Sequence, residues 1–433
     1  MKKILLLLLL LQGLLMASTL NYITVEGVKI PLIHEEDKRL PMVSMQVVFE
    51  VSGSIEDKKL PGLAKMSAKM MNEGTSKLGS IGFAKELDAK AVHISASTGT
   101  ETFVMELSSL KEYFDYGLEK FADLLQDPNL NTKTLEKAKS LTIGGLSRKE
   151  NDYDYIAART LKGLLFKGTL LENPSSGTIE DVKKIQDKDV KNFLEEHLVL
   201  SRAVIVVGGD ISLKEAKEKA SALLGHLPKG KKGQLPQVEV VKKSHKVVLE
   251  RETEQAYLYF GSPYETSVGD EDEYKARVGT FILGTGGFGS RLMEEIRVKR
   301  GLAYSAYARI NAARSHVYFM GYLQTKLESQ AEAEATVKEV IAKFVKEGVT
   351  QDELDQSKKF LLGSEPLRVE TLSQRLSRTF QEYYKGEPLG SSRKELEKIE
   401  ALTLDDLNAY IKKHTEINDL TFAIVTNVKK EKK

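Results

Sequence analysis

Two stretches of this 433-residue chain carry side chains in an order that could do chemistry. The first is Ser290–Tyr307, Ser-Arg-Leu-Met-Glu-Glu-Ile-Arg-Val-Lys-Arg-Gly-Leu-Ala-Tyr-Ser-Ala-Tyr. Ser290 is a favoured N-cap type, and Glu294 and Glu295 suit early helical turns. Lys299-Arg300-Gly301 reads as a helix stop with cations at the negative dipole end. After Gly301 the pattern changes to strand-like alternation. Arg297 and Tyr304 therefore flank a helix-to-strand reversal. A guanidinium fork suits backbone oxygens, and a hydroxyl donor can stabilise an oxygen that gains charge. The spacing alone fits equally well a helix end with a solvated arginine and a core tyrosine.

The second stretch is Gly62–Thr75, Gly-Leu-Ala-Lys-Met-Ser-Ala-Lys-Met-Met-Asn-Glu-Gly-Thr. Leu63, Met66 and Met70 form the core stripe of a helix. Lys65 and Lys69 lie one turn apart on the other side, which in isolation reads as a solvated turn. A third pattern, Gly284-Thr285-Gly286-Gly287-Phe288-Gly289, satisfies Gly-x-Gly-x-x-Gly. The residues before it (Tyr274, Val278, Phe281, Ile282) have helical spacing, so the strand a dinucleotide fingerprint needs is missing, as is an acidic residue about 20 positions on. A flexible loop between two helices is the better reading. No two of the seven histidines fall within five residues of each other, so no helical two-histidine metal clip exists.

Arg-x-x-Arg-Gly-Leu-Ala-Tyr (Arg297–Tyr304), together with the helix at Gly62, resembles the pitrilysin/insulinase-type zinc peptidases, and the resemblance spans roughly residues 21–428. That family's helix carries an inverted zinc motif, His-x-x-Glu-His. Two neutral imidazoles hold the metal and the carboxylate takes a proton from bound water. The three chemical positions here are Lys65, Ala68 and Lys69. The family's third ligand, a glutamate, falls within Thr142-Ile143-Gly144-Gly145-Leu146, which holds no carboxylate. The resemblance thus implies that this chain binds no zinc. Two ammonium groups at Lys65 and Lys69 could stand in for the charge of the missing ion. It also implies that Arg297 grips a substrate backbone, that Tyr304 donates to the scissile carbonyl, and that Gly286 and Gly287 lie near the substrate. Leu165-Phe166, Gly177-Thr178 and Gly208-Gly209-Asp210 are further landmarks. The Val92–Leu107 region matches the edge where family members accept a peptide as an added strand.

The elements that must position these residues repeat in two series. The first runs strand Met45–Ser52, the Gly62 helix, alternating Val92–Leu107, helices over Tyr113–Leu125, Thr132–Arg148, Tyr155–Phe166 and Asp187–Leu198, then the apolar strand Ala203–Val207. The second runs Gln255–Gly261, helix Glu273–Leu283, the strand pair Tyr304–Ile310 and His316–Leu323, helices over Glu328–Glu347, Thr350–Leu362, Thr371–Tyr384 and Thr403–His414, then Leu420–Val425. The ordered series predicts duplication. The fold class is α+β: two homologous sandwich halves, each an antiparallel sheet with helices, facing each other like a clam shell. The expected divisions are a signal peptide at 1–18, an N-terminal half at 19–224, a linker at 225–246 and a C-terminal half at 247–433.

Composition bounds the function. A formal charge of +2 argues against a nucleic-acid footprint. Cysteine is absent, which removes disulfides and thiolate metal sites. Met-Lys-Lys followed by a short apolar run and a small residue at Ala17 reads as a secretory signal peptide, and the leader's style suggests a bacterial periplasm. No second apolar run follows, so no membrane span is expected in the mature chain. With this leader, the family resemblance implies a zinc-free subunit of a periplasmic metallopeptidase. A zinc-bearing paralogous partner would supply the ion, and Arg297 and Tyr304 would complete the site acting on peptides or unfolded segments. The alternatives are a structural or peptide-binding pseudopeptidase and an independently active zinc peptidase with unrecognised ligands.

Overall fold

The computed structural model describes residues 18–427. The expected signal peptide, but for Ser18, lies outside the described residues. Among the described residues, no helix is long and apolar enough to cross a membrane.

The chain forms two compact units whose segments interleave in sequence. The first contains the chain up to Gly144, Ser175–Leu235 and Pro366–Tyr384; the second contains Gly145–Pro174, Pro236–Glu365 and the chain from Lys385 onward.

The first unit is built on six strands: β1 (Thr19–Val25), β2 (Val28–Glu36), β3 (Met42–Glu50), β4 (His93–Thr98), β5 (Thr102–Leu110) and β6 (Ala203–Gly209). Their spatial order is β1-β2-β6-β3-β5-β4. The β1–β2 hairpin goes beyond the expected strands. It turns at Glu26-Gly27, where φ is 48° and 76°, the left-handed pair that a tight two-residue hairpin needs. One sheet face presents Met45, Val47 and Phe49 beside Phe103, Met105 and Leu107, all fully buried. The helix Leu372–Lys385 covers part of the opposite face, its Leu376 packed with Ile33, Val48, Val204 and Val206. Arg375 anchors this helix, donating to Glu35 Oε1 at 2.6 Å and to Asp37 Oδ2 at 2.9 Å. With both faces covered, β6 is buried along its whole length, hence its unbroken apolar run.

The second unit holds β7 (Lys246–Glu250), β8 (Gln255–Pro263), β9 (Ala303–Ala313), β10 (His316–Lys326) and β11 (Thr421–Thr426), in the order β7-β11-β8-β10-β9. The helix Tyr153–Leu165 packs against β8 and β11. Phe260, Phe319 and Phe422 join Val337, Ile341, Phe344, Leu407 and Ile411 of two helices in one core.

Apart from β1, the two sheets match strand for strand: β2-β6-β3-β5-β4 against β7-β11-β8-β10-β9. Even the single parallel pair recurs, β2 with β6 and β7 with β11. The expected antiparallel pairing holds for every other pair, so both sheets are mixed. The last strand of each series returns after a long helical excursion, and such crossovers are what parallel neighbours require.

Candidate functional site

The helix Leu63–Met71 is held at its start by Asp57. The Asp57 carboxylate accepts from the backbone N–H groups of Gly62 and Ala64, both at 2.7 Å. Burial pushes its carboxyl up to about 7 against those two hydrogen bonds. Leu63, Met66 and Met70 are buried, as the core stripe requires.

Lys65 and Lys69 reach from this helix into polar company, while Ala68 stays buried. Lys65 is half-buried and its Nζ donates to Ser176 Oγ at 3.1 Å. Lys69 is exposed and its Nζ donates to Thr142 Oγ1 at 2.5 Å. Thr142 in turn donates to the Ala138 carbonyl at 2.8 Å within the helix Thr132–Lys149. Thr142 belongs to the stretch matching the third zinc ligand, so a cation and a hydroxyl meet where the resemblance would place ion and carboxylate. Ala68 is 4% exposed and offers only a methyl. Zinc does not fit this donor set: ammonium groups cannot ligate, and the acid that would activate water is absent.

The same helix also bears on the free edge of the sheet. Asn72, just past its end, accepts from the Ala96 N–H at 2.7 Å and donates to the Ala96 carbonyl at 2.8 Å. Ala96 lies on β4, the edge strand, and these are the two backbone groups that it turns away from β5. One rung of the edge to which a peptide could add is therefore filled by a carboxamide of this chain.

Arg297 and Tyr304 come together in the second unit. The segment after Ser290 is one α-helical turn, Arg291–Met293, followed by a π-helical turn, Glu294–Lys299. Leu302 N–H bonds to the Ile296 carbonyl at 2.8 Å, and left-handed Gly301 ends the helix where the sequence stop lies. Ser290 departs from expectation. It is buried, and its hydroxyl donates to the Gly287 carbonyl at 2.8 Å rather than capping the helix.

Tyr304 sits near the start of β9, at a bulge. Ala303 pairs with Thr325 and Ala306 with Leu323, so Tyr304 and Ser305 together face Gln324. Such a bulge re-aims a side chain, and Tyr304 is 80% exposed instead of packed as a core tyrosine. The Arg297 guanidinium lies between two rings, 4.3 Å from the Tyr304 centroid and 4.5 Å from that of Phe288. Among the described residues no carboxylate pairs with Arg297, so stacking orients the guanidinium while its hydrogen-bonding edge stays open.

Phe288 belongs to the glycine loop, and sequence reasoning missed it. The only available signal was an apolar residue isolated among glycines. The helix before the loop is α-helical over Glu273–Thr280 and closes with a π turn at Phe281–Thr285, shorter as an α-helix than expected. A Cβ on Gly284 would stand 2.3 Å from the Ala308 nitrogen of β9, so glycine lets the loop close onto the strand that carries Tyr304. Gly287 has a φ of +61° and is exposed, with Gly286 half-buried beside it.

Among the described residues, one cluster has the ligand types for a cation: Glu56, Glu196 and His197. Two of its three members are already engaged. Arg202 Nη1 donates to His197 Nδ1 at 2.8 Å, and Lys58 pairs with Glu196 at 3.2 Å. Burial, then the Arg202 charge, lowers the imidazole to about 4. The group reads as an ion-pair and hydrogen-bond network.

Comparison with known proteins gives one consistent result. The sequence profile described as Insulinase (Peptidase family M16) matches residues 32–179, and that of the Peptidase M16 inactive domain matches residues 184–361. The non-peptidase homolog YmxG of Helicobacter pylori is 44% identical over 418 residues, 96% of each chain. An uncharacterized zinc protease YmxG of Bacillus subtilis is 26% identical, covering 90% of this chain and 92% of that one. The peptidase M16 inactive domain from Pseudomonas fluorescens superposes with a TM-score of 0.87 at 24% identity, covering 95% of this chain and 98% of that one. The periplasmic protease PqqL of Escherichia coli gives 0.78 at 12% identity, covering 95% of this chain and 46% of that one.

Proposed function

The chain belongs to peptidase family M16, the insulinase family, and on that premise we propose that it is a non-zinc-binding subunit of a heteromeric periplasmic peptidase. It acts with a zinc-bearing paralogous partner on peptides or unfolded segments. One observation carries the reading: Arg297 and Tyr304 are arranged for work on a chain whose metal positions hold Lys65, Ala68 and Lys69. A scaffold has no use for an exposed phenol re-aimed by a bulge beside an unpaired guanidinium.

In this reading the metal and its chemistry belong to the partner. Arg297 holds a backbone oxygen of the substrate. The Tyr304 hydroxyl donates to the scissile carbonyl oxygen as charge develops there, and Gly286 and Gly287 give that backbone room to approach. This chain binds no cofactor of its own and is inactive alone. Periplasmic location rests on the leader pattern and on a structural neighbour, the periplasmic protease PqqL.

The test is a mixing experiment. The purified chain should contain substoichiometric zinc and cleave no peptide. A partner carrying His-x-x-Glu-His should cleave faster in its presence. Tyr304→Phe should reduce turnover of the mixture on the order of 100-fold, the cost of one oxyanion donor. Unchanged turnover would remove the trans-site proposal. That outcome would favour a structural pseudopeptidase, the reading which the occupied β4 edge and the non-peptidase relative support. Stoichiometric zinc would instead point to the cluster of Glu56, Glu196 and His197 and to an independently active enzyme.

A further inference from the structure

A cavity of about 660 Å³ opens within the first unit, between the sheet and the helix Leu372–Lys385. That size is typical of small-molecule sites. The sheet face that forms its floor changes character along its length. At one end Val48, Val104 and Val204 lie in the apolar cluster around Leu376. At the other end the same face presents Ser44 and Gln46 on β3 directly opposite Ser108 and Glu106 on β5. The roof sets the apolar side chains Leu372, Leu376 and Phe380 among the hydroxyls of Thr371, Ser373 and Ser377.

Glu106 is the informative member. Its carboxylate accepts from Gln46 Nε2 at 3.2 Å and Ser44 Oγ at 3.5 Å. Among the described residues no cation pairs with it. The one cation lining the cavity, Arg39, is held by Asp37 at 2.5 Å. Asp37 and Glu370 are the other two acids of the lining. A half-buried anion that meets only neutral donors and leucine and phenylalanine side chains is poorly compensated by the protein itself. Nor does the fold need it: valines occupy the same face two residues along each strand, Val48 after Gln46 and Val104 before Glu106.

We propose that this cavity is a binding site for a small amphipathic amine, whose ammonium group meets Glu106 while its apolar body lies under Leu372, Leu376 and Phe380. The site lies wholly within the first unit and does not depend on the peptidase reading. An alkyl sulfate of the same length would bring like charge to Glu106, and an alcohol would lack the charge.

The experiment is titration calorimetry of the full chain with n-octylamine, 1-octanol and octyl sulfate. Octylamine should bind at least tenfold more tightly than octanol, and octyl sulfate should give no saturable binding. Glu106→Gln keeps the hydrogen-bonding shape and should weaken octylamine at least tenfold, leaving octanol unaffected. Ser377 is exposed on the cavity rim, so Ser377→Trp should fold normally, which circular dichroism would verify, and block both octylamine and octanol. Equal binding of amine and alcohol, undiminished amine binding to Glu106→Gln, or undiminished binding to Ser377→Trp would each overturn the proposal.

Discussion

The Lys69 ammonium donates to the Thr142 hydroxyl at 2.5 Å across 73 residues of sequence, so a cation of the chain itself ties together two helices at the degenerate metal positions. With Lys65 bonded to Ser176, the pair serves as a local clamp. Lys65→Ala/Lys69→Ala should lower stability by about 1 kcal/mol, the modest value that partly solvated charged contacts allow. It should also weaken assembly with the zinc-bearing partner. Thermal denaturation and analytical ultracentrifugation of the mixture would measure both; no change in either would return the lysines to a solvated surface.

The stacking of Arg297 between Phe288 and Tyr304 separates orientation from charge. Phe288→Ala removes one ring and should cost the mixture a few-fold in KM, in keeping with about 0.5–1 kcal/mol for an exposed cation–π contact. Arg297→Lys keeps the charge but loses the planar fork, and should raise KM about tenfold. Steady-state kinetics would show whether kcat stays close to wild type in the first variant, as an orienting role demands.

Asn72 fills the outward-facing backbone groups of Ala96. Asn72→Ala should open that rung of the β4 edge. A fluorescently labelled extended peptide, followed by anisotropy, should then bind several-fold more tightly, because edge pairing supplies main-chain hydrogen bonds. Equal affinity for both proteins would mean that the carboxamide does not guard the edge.

His197 is neutral in the folded chain, its imidazole lowered to about 4 by burial and by the nearby Arg202, with Glu196 opposing and Lys58 adding to the effect. The unfolded chain takes up a proton near the usual value of about 6.5. Protons therefore favour the unfolded state in the window between these values. The contribution of this group is present above about pH 6.5 and lost as pH falls toward 4, about 3 kcal/mol in all. His197→Gln keeps an acceptor for Arg202 and should flatten the pH dependence of the urea midpoint over that range. An unaltered slope would assign the acid sensitivity elsewhere.

Much of this was legible in the chain itself. The loss of both imidazoles and of the acid is a matter of residue type, and no folding could restore it. The helix stop at Gly301 and the apolar runs within β6 and β11 follow from local conformation and periodicity. The repeated order of elements foretold two matching sheets. Tertiary structure alone decided the rest. The bulge that turns Tyr304 outward depends on its register with Gln324. The seat of Arg297 depends on where the glycine loop delivers Phe288. Arg375 reaches Glu35 across 340 residues, which brings the helix Leu372–Lys385 to the first sheet and creates the cavity above Glu106. Caps and periodicities are written among neighbours in sequence, whereas partners of this kind are chosen only when strands register and faces pack.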